Sequence, residues 1–321
     1  MVGKVTPNDM LSASRLPAVC GMSVYRSPND ELLASIAAIN GDELPNISNE
    51  SMDWGNRLEP TILTEAAHRL GCHQLDINHE KPYFHDKWPI SCSLDGTATG
   101  SMEEIVTDPE RGIYVVGQSS IRLEGTGVLE AKLTAMDAED VLPLYRGPIQ
   151  LQAQMSITKA SWGAIAVLYR GTELRIFLFA PHAETLDLIE RTCKDFQDRL
   201  DRYKNTGGVD HYPAINPKDA ARTFSAGSID EPVTLDDYGT ELAKLILENK
   251  QKISTLEEEN QKAQTEIMNI MKSHTVAIAG NYQITWPQRS YKAQLAKIVP
   301  AKEAYTIRQS TLTIKGIKNV I

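Results

Sequence analysis

The sequence predicts an α/β (α+β) protein with a mixed central sheet flanked by helices, followed by a long helix and a small β-containing tail. Segments of strand length alternate with helical patterns over residues 51–203, which is typical of a sheet covered by helices. A heptad pattern occupies residues 242–270 and predicts the long helix. A segment rich in Gly, Pro, Asp and Asn lies between the two patterns and indicates a linker.

The first predicted elements are helices. Residues 8–40 have short helical patterns, and Ser12 or Ser14 can cap one of these helices. Residues 51–70 predict an amphipathic helix that Gly71 ends. The apolar face of this helix is formed by Trp54, Leu58, Ile62 and Ala66.

The central sheet is predicted from short apolar or alternating segments. These segments lie near 74–80, 90–98, 112–118, 126–133, 162–169 and 173–180. Residues 100–126 resemble an inserted hairpin or loop. Pro148 opens a helix that extends to about Lys159, and a helix from Ala183 to about Tyr203 closes the domain.

The composition divides the chain into four segments: a domain at 1–205, a linker or covering loop at 206–235, a long helix at 236–272 and a basic module at 273–321. The long helix repeats its seam residues at spacings of four and three: Leu242, Ile246, Asn249, Ile253, Leu256, Asn260, Ala263, Ile267 and Ile270. A single helix packed on its own protein fits this pattern as well as an oligomerising coiled coil does. The module is predicted to contain a hairpin around Gly280-Asn281, a helix near 290–298 and strands near 305–317.

Charge is distributed unevenly along the chain. The whole sequence has a formal charge of −9 and a pI of about 5.4, which disfavours contact with nucleic-acid phosphates. Residues 271–321, however, contain eight Lys or Arg and a single acid, Glu303. The tail is therefore the predicted site of attraction for a polyanion.

The remaining composition excludes several protein classes. Hydrophobic residues are 41% and charged residues 23%, which excludes global disorder and collagen-like fibres. No apolar segment approaches the ~20 residues of a membrane span, and no secretory signal precedes the domain, so we expect a cytosolic protein. Four cysteines without CxxC spacing fit reduced thiols. The cluster of His68, Cys72, His73, His79 and His85 matches no zinc-binding pattern.

One strand carries charged residues where apolar ones are expected. Glu130 and Lys132 lie in the apolar segment GVLEAKLT and, two residues apart, point to the same face of a strand. Burying them is costly unless they are paired or bind an ion. Asp95 ends another strand-like segment, SCSLDGTA, in which Gly96 makes the turn, and Glu59 lies on the helix before Pro60.

Three carboxylates and a lysine from separate elements fit a metal-dependent phosphodiesterase. Carboxylate oxygens are ligands that Mg²⁺ prefers, and a lysine can neutralise developing negative charge. A salt-bridged Glu–Lys pair without chemistry is the alternative, since the ExK triplet alone is common.

The combined motifs resemble a known family. Asp95 followed by Glu130-x-Lys132 is similar to the PD-(D/E)xK nuclease signature. The ordered segments SASRLPAVCGMSVY, GNRLEP, SCSLDG, LEAKL and QLQAQM resemble the phage lambda exonuclease, or YqaJ-type viral recombinase, family over about residues 12–203. Residues 285–314 resemble a tail of longer members. The resemblance implies a restriction-endonuclease-like core.

The resemblance also implies residue roles at a metal site. Asp95, Glu130 and the backbone carbonyl of Ala131 would hold Mg²⁺, for which Mn²⁺ can substitute. Lys132 would position or activate the attacking water. Glu59 would serve the metal directly or through water, and Gln150 would hold the water or the scissile phosphate.

Two further sites follow from the resemblance. Ser14 would bind a DNA 5′-phosphate with Arg15 beside it, although a helix N-cap is the alternative for Ser14. Gln154 lies one turn after Gln150 and would either contact the DNA backbone or pack the helix. The arginine expected upstream of the serine is missing, since only Lys4 is near. His85 precedes Asp95 as in some members, and a surface histidine is the alternative.

The function implied is digestion of double-stranded DNA ends from 5′ to 3′, leaving 3′ overhangs for a single-strand annealing recombinase. The expected assembly is a ring-shaped homotrimer in the cytoplasm of a bacterial host, encoded by a phage, prophage or mobile element. Two alternatives are an endonuclease on the same core and a catalytically silent DNA-binding or scaffold protein.

Overall fold

A computed structural model describes residues 6–42, 49–77, 79–224 and 232–288. The chain forms two compact units, Met1–Thr223 and Phe224–Ile321. Among the described residues, no helix is both long enough and apolar enough to span a bilayer.

The helices of the first unit are α1 (Leu16–Val19), α2 (Pro28–Asn40), α3 (Glu50–Arg69), α4 (Pro148–Thr158), α5 (Ala183–Thr206) and α6 (Pro217–Thr223). Its strands are β1 (Leu11–Ser12), β2 (His73–Asp76), β3 (Tyr83–Phe84), β4 (Ile90–Cys92), β5 (Gly96–Thr99), β6 (Glu104–Val106), β7 (Ile113–Val115), β8 (Ser120–Arg122), β9 (Thr126–Thr134), β10 (Gly163–Tyr169) and β11 (Glu173–Phe179). The second unit contains α7 (Asp237–Met271), β12 (Val276–Ala279) and β13 (Tyr282–Thr285).

The central sheet is mixed, as predicted, and has the strand order β2-β5-β9-β10-β11-β7. Strand β9 pairs parallel with β10 and antiparallel with β5. A second sheet, ordered β1-β4-β3, lies at the start of the unit, and β6 pairs with β8. The predicted insertion at 100–126 thus forms the small antiparallel pair of β6 and β8. Strand β7, which lies between them in the sequence, pairs with β11 at the far edge of the central sheet.

Two apolar cores cover the two faces of the central sheet, which makes the first unit three layers thick. Along β10, Ile165 and Val167 enter the core formed with α1, α2, α4 and α5. Ala164 and Ala166 enter the opposite core, formed with α3. Alternate residues of a strand face opposite ways, so a continuous apolar strand fits only between two helical layers.

Local sequence explains several of the boundaries. Ser27 begins α2 with a capping box in which its side chain accepts from the Asp30 amide. Neither Ser12 nor Ser14 caps a helix, since Ser12 makes no side-chain cap bond and Ser14 lies inside the 3₁₀ turn Ala13–Arg15. That capping expectation was wrong.

The predicted strand at 90–98 is two strands. β4 joins the small sheet and β5 joins the central sheet, with residues 93–95 between them. Asp95 therefore precedes a strand rather than ending one, and Gly96 is the first residue of β5 rather than a turn. This break matters because it releases Asp95 from the ladder.

Residues 209–223 pack back onto the first unit. The Asn29 side chain donates to the Tyr212 carbonyl at 3.0 Å and accepts from the Tyr212 amide at 2.8 Å. Arg199 donates to the carbonyls of Asp210 and His211 and lies over the Tyr212 ring. These contacts explain why the first compact unit extends to Thr223.

The second unit begins with a helix of 35 residues that Asp236 caps through the Gly239 amide. A hairpin of β12 and β13 follows, as predicted, with Gly280 at φ +56° in its turn. The predicted helix at 290–298 and strands at 305–317 lie outside the described residues.

Candidate active site

The site lies where β5 separates from β9. Their ladder ends at the pair Gly96–Leu129, so the edge of β9 from Glu130 onward is open to the side chain of Asp95. Asp95 Oδ2 accepts from the Ala131 amide at 2.9 Å. In a strand the carbonyl of a residue leaves on the same side as its amide, so the Ala131 carbonyl also faces this edge.

Glu130 and Lys132 point together toward α4. Glu130 is only 2% exposed, yet its carboxylate accepts three side-chain bonds. The donors are Lys132 Nζ at 2.6 Å, Gln150 Nε2 at 2.7 Å and Gln154 Nε2 at 2.8 Å. A buried carboxylate is tolerated only when its oxygens are satisfied in this way.

Helix α4 supplies the two amides because of how it begins. Gly147 precedes it at φ +103°, a conformation that favours glycine, and Pro148 takes the first helical position. Gln150 and Gln154 are one turn apart and share the face toward β9. The start of the helix therefore decides which side chains reach Glu130.

Gln154 is completely buried, and its Nε2 also donates to the Ser93 carbonyl at 3.1 Å. It thus joins Glu130 to the segment that carries Asp95. Its Oε1 has no hydrogen-bond partner among the described residues. The structure favours the packing alternative for Gln154, because DNA cannot reach a side chain with no exposed surface.

The electrostatics show that the carboxylates act on one another. Burial, then the charge of Glu130, raises the pKa of Asp95 well above its ordinary value; Lys132 lowers it and Glu59 raises it further. Burial, then Glu130, also raises the pKa of Glu59, which Lys132 partly offsets. Three acids therefore share a single lysine, and the cluster has an excess of negative charge.

The same charges act on Lys132. Burial lowers the pKa of its ammonium, but the negative charges of Glu130, Asp95 and Glu59 outweigh this and raise the pKa overall. The side chain is 31% exposed, so it reaches both the buried network and solvent. Lys132 is consequently a protonated donor at neutral pH.

The donor set fits a hard divalent cation. Asp95 and the Ala131 carbonyl offer oxygens at the edge of β9, and the Glu130 carboxylate on the adjoining face is coupled to Asp95 through its charge. Their uncompensated negative charge is what a cation would offset. Within the part of the chain that the structure describes, no three His, Cys, Asp or Glu side chains gather closely enough to hold one ion. The fitting set therefore combines two carboxylates with a carbonyl, and Glu59 is coupled to them through its charge.

Arg15 is engaged inside the protein. Its guanidinium donates to Glu31 Oε2 at 2.5 Å, to the Glu31 carbonyl and to the Met10 carbonyl at 3.1 Å, and it lies over the Phe196 ring. Ser14 is exposed and lies 3.2 Å from the Ser12 hydroxyl. Phosphate binding by these two residues stays a prediction, and for Arg15 it would require breaking the Glu31 contacts.

His85 is held by contacts with neighbouring residues of its own loop and with α4. Its Nδ1 accepts from the amides of Lys87 and Trp88, at 3.1 and 2.9 Å, so the proton of the neutral ring is on Nε2, 3.3 Å from the Ser156 hydroxyl. The ring stacks on Trp88 with centroids 4.0 Å apart. Burial lowers its pKa, despite the nearby charge of Asp86.

Two features were missed by sequence reasoning. Gln152, between the two site glutamines, donates to the Ala180 carbonyl at 2.8 Å and accepts from the His182 amide at 2.9 Å, so α4 also holds the start of α5. Three glutamines at alternate positions of an apolar helix are the signal that points to buried amides. Gly147 is harder to find from the sequence, because its role is to adopt a positive φ before α4, and the sequence alone does not show that conformation.

A groove of about 490 Å³ is partly lined by residues that neighbour the site residues in the sequence. Its lining is Ser51, Trp54, Leu58, Leu133, Thr134, Ala135, Arg170 and Gly171. Leu58 precedes Glu59, and Leu133 follows Lys132. Trp54 is 48% exposed, with the Arg57 guanidinium 5.4 Å from its ring centre.

Residues 6–161 match the family model of the YqaJ-like viral recombinase domain, which confirms the resemblance seen in the motifs. No curated protein matches the chain. Among solved structures, the chain is similar to an alkaline exonuclease from Laribacter hongkongensis, with 16% identity, a TM-score of 0.43 and coverage of 61% of this chain and 90% of that one. The complex of that exonuclease with dAMP gives 16% identity, a TM-score of 0.41 and the same coverage. A phage related exonuclease from Haemophilus somnus 129PT gives 11% identity, a TM-score of 0.37 and coverage of 62% and 96%.

Proposed function

We propose that this chain, whose residues 6–161 match the YqaJ-like viral recombinase domain, is a Mg²⁺-dependent 5′-to-3′ exonuclease of double-stranded DNA. The observation that carries the proposal is the joint placement of Asp95, Glu130 and Lys132 at the open edge of β9. A simple Glu–Lys ion pair needs neither the shifted pKa of Asp95 nor two further amides on Glu130.

The reaction is hydrolysis of a phosphodiester. A water oxygen forms a bond to phosphorus as the water gives up a proton, the bond from phosphorus to the leaving oxygen breaks, and the leaving oxygen takes up a proton. A bound Mg²⁺ would lower the pKa of that water and stabilise charge on the phosphate. Asp95, Glu130 and the Ala131 carbonyl are the residues that would hold it.

Lys132 contributes charge and direction. It is protonated, because its carboxylate neighbours raise its pKa, so it donates a hydrogen bond to the attacking water or a phosphate oxygen. Lys132 Nζ donates to Glu130 Oε1 at 2.6 Å, and this bond orients the ammonium group. A role as a general base would require losing the proton that its three acidic neighbours stabilise.

Gln150 links the two charged residues. Its Nε2 donates to Glu130, and its Oε1 lies 3.5 Å from Lys132 Nζ. It is 8% exposed, so unlike Gln154 it retains some surface toward solvent. In this proposal Gln150 holds the water or the scissile phosphate, while Gln154 keeps Glu130 in place.

The remaining parts of the proposal rest on the family resemblance. They are the 3′ single-stranded product, its use by a single-strand annealing recombinase, a ring-shaped homotrimer, and work in the cytoplasm of a phage-infected or prophage-bearing bacterium. The net charge of −9 is compatible with a ring, because a closed ring retains DNA without tight electrostatic contact. Contact with phosphates would then weaken steeply as salt rises.

The experiment is a time course on linear duplexes labelled at either end, with and without a 5′-phosphate and Mg²⁺. We expect Mg²⁺-dependent release of nucleotides from the 5′ end and an intact 3′ label on the single-stranded product. Covalently closed plasmid is the control substrate and should stay intact. Cleavage of that plasmid would replace the exonuclease with an endonuclease, and no cleavage of either substrate would favour a silent scaffold.

A further inference from the structure

Helix α7 exposes apolar residues in a regular order. The seam residues of its heptads are isoleucine or asparagine at the a positions, which are 246, 253, 260 and 267. The d positions are 242, 249, 256, 263 and 270, and include leucine at 242 and 256. This order continues over four heptads without a break, which is the pattern of a coiled coil.

Much of the seam is exposed. In the part of the chain that the structure describes, Ile253 is 54% exposed, Leu256 57% and Ile270 79%, and Met271 is the only buried residue of the helix. A helix this long with an apolar stripe facing water gains stability when a second apolar stripe covers it. The stripe therefore requires a partner of the same length and period.

The seam residues indicate the number of strands in a parallel assembly. Isoleucine at a with leucine at d favours two strands in parallel coiled coils, and an asparagine at an a position can fix their register. Asn260 occupies such a position, between Ile253 and Ile267. In register, it meets its own counterpart and makes a hydrogen bond that any shifted register would lose.

The flanking charges point to a second copy of the same helix. In a parallel pair, each g residue faces the e residue five positions later on the other strand. Lys252 at g then faces Glu257 at e, in both directions across the pair. The other g–e pairs, 245 with 250, 259 with 264 and 266 with 271, bring no like charges together.

We propose that α7 pairs with α7 of a second copy of this chain as a parallel, in-register, two-stranded coiled coil, with Lys252 of each strand facing Glu257 of the other. This interface is independent of the nuclease site. It would join chains in pairs, whatever ring the first units form.

Disulfide trapping in the full chain tests the pairing. Ala263→Cys places a thiol at a d position, whereas Thr265→Cys places one at an outward f position two residues away. Under mild oxidation we expect most of the Ala263→Cys chains to form a dimer of twice 35.6 kDa on a non-reducing gel, and at least fivefold fewer of the Thr265→Cys chains. The unsubstituted chain, with its four native cysteines, provides the blank.

Charge exchange tests the register in the same Ala263→Cys background. Lys252→Glu sets Glu against Glu, and Glu257→Lys sets Lys against Lys, so each should lower the dimer yield several-fold at low salt. The double variant restores opposite charges and should recover the yield. Equal trapping at 263 and 265, or single variants without effect, or no recovery in the double variant, would each overturn the proposal.

Discussion

The carboxylate site and helix α7 violate the usual distribution of residues in opposite ways. At the site, Glu130 is buried and its charge is held by three donors. On α7, Leu256 and Ile270 are more than half exposed and the acids at 257–259 lie in solvent. The first region buries charge, and the second exposes apolar surface.

The buried charge and the exposed apolar stripe have different explanations. A buried acid is costly, so a site that crowds three acids around one lysine needs a counter-charge or a chemical use. An exposed apolar stripe is costly only while it lacks a partner. The first anomaly therefore points to a reaction and the second to an assembly.

The largest expected effect is on cleavage. Lys132→Met should lower the rate by about 10²–10³-fold or more, because in the proposed reaction it removes the donor to the attacking water or the phosphate. The matched control is Lys194→Met, since Lys194 forms a pair with Glu190 at 2.5 Å on the surface of α5. Initial rates on linear duplex DNA measure both. If the two variants retained similar activity, Glu130–Lys132 would be an ordinary ion pair.

The next effect is on folding. Arg15→Met should destabilise the first unit by about 3 kcal/mol, because it leaves the 6%-exposed Glu31 side chain with Arg26 as its remaining ionic partner. The double variant with Glu31→Gln should recover part of the loss. Urea unfolding followed by tryptophan fluorescence provides the measurement. Unchanged stability with a selective loss of cleavage at 5′-phosphorylated ends would instead assign Arg15 to the phosphate pocket.

A smaller effect separates stability from activity at Asp95. Asp95→Asn should stabilise the metal-free protein by about 1 kcal/mol at pH 8 while abolishing cleavage. The raised pKa means that the folded state binds more protons than the unfolded state above pH 3.8, so wild-type stability falls as pH rises. The gain of the variant should therefore shrink toward pH 4. Equal gains in thermal melts at both pH values would contradict the shifted titration.

The smallest expected effect concerns His85 and has the opposite sign. Its lowered pKa means that the unfolded state binds more protons below about pH 6.5, so stability is complete above that pH and declines below it. Protonation of Nδ1 would also break the bonds from the Lys87 and Trp88 amides. His85→Gln should flatten the fall in Tm between pH 7 and 5. A parallel decline in both proteins would remove His85 from this role.

The central strands and the site were predictable because their signals are local. Short apolar or alternating segments marked β9, β10 and β11, and the spacing of Glu130 and Lys132 placed them on one face. The break between β4 and β5 was not predictable, because β4 is held by two-residue strands that pair only after folding. The strand β7 was predicted near 112–118, but its place beside β11 at the edge of the sheet was not, because that pairing joins distant parts of the sequence.

Side-chain partners were harder to predict than elements. The burial of Gln154 follows from the angle of α4 over β9, and the engagement of Arg15 follows from α2 passing beside it. Neither is encoded within a few residues. The heptads of α7 were visible in the sequence, whereas the exposure of their seam among the described residues was not.

Calorimetric titration of Mn²⁺ into the full chain tests the central claim most directly, because binding is measured without any cleavage. We expect a saturable binding signal for the wild type that Asp95→Asn abolishes, while Lys194→Met binds as the wild type does. An absent signal in the wild type, or unchanged binding by Asp95→Asn, would contradict a cation site at the open edge of β9.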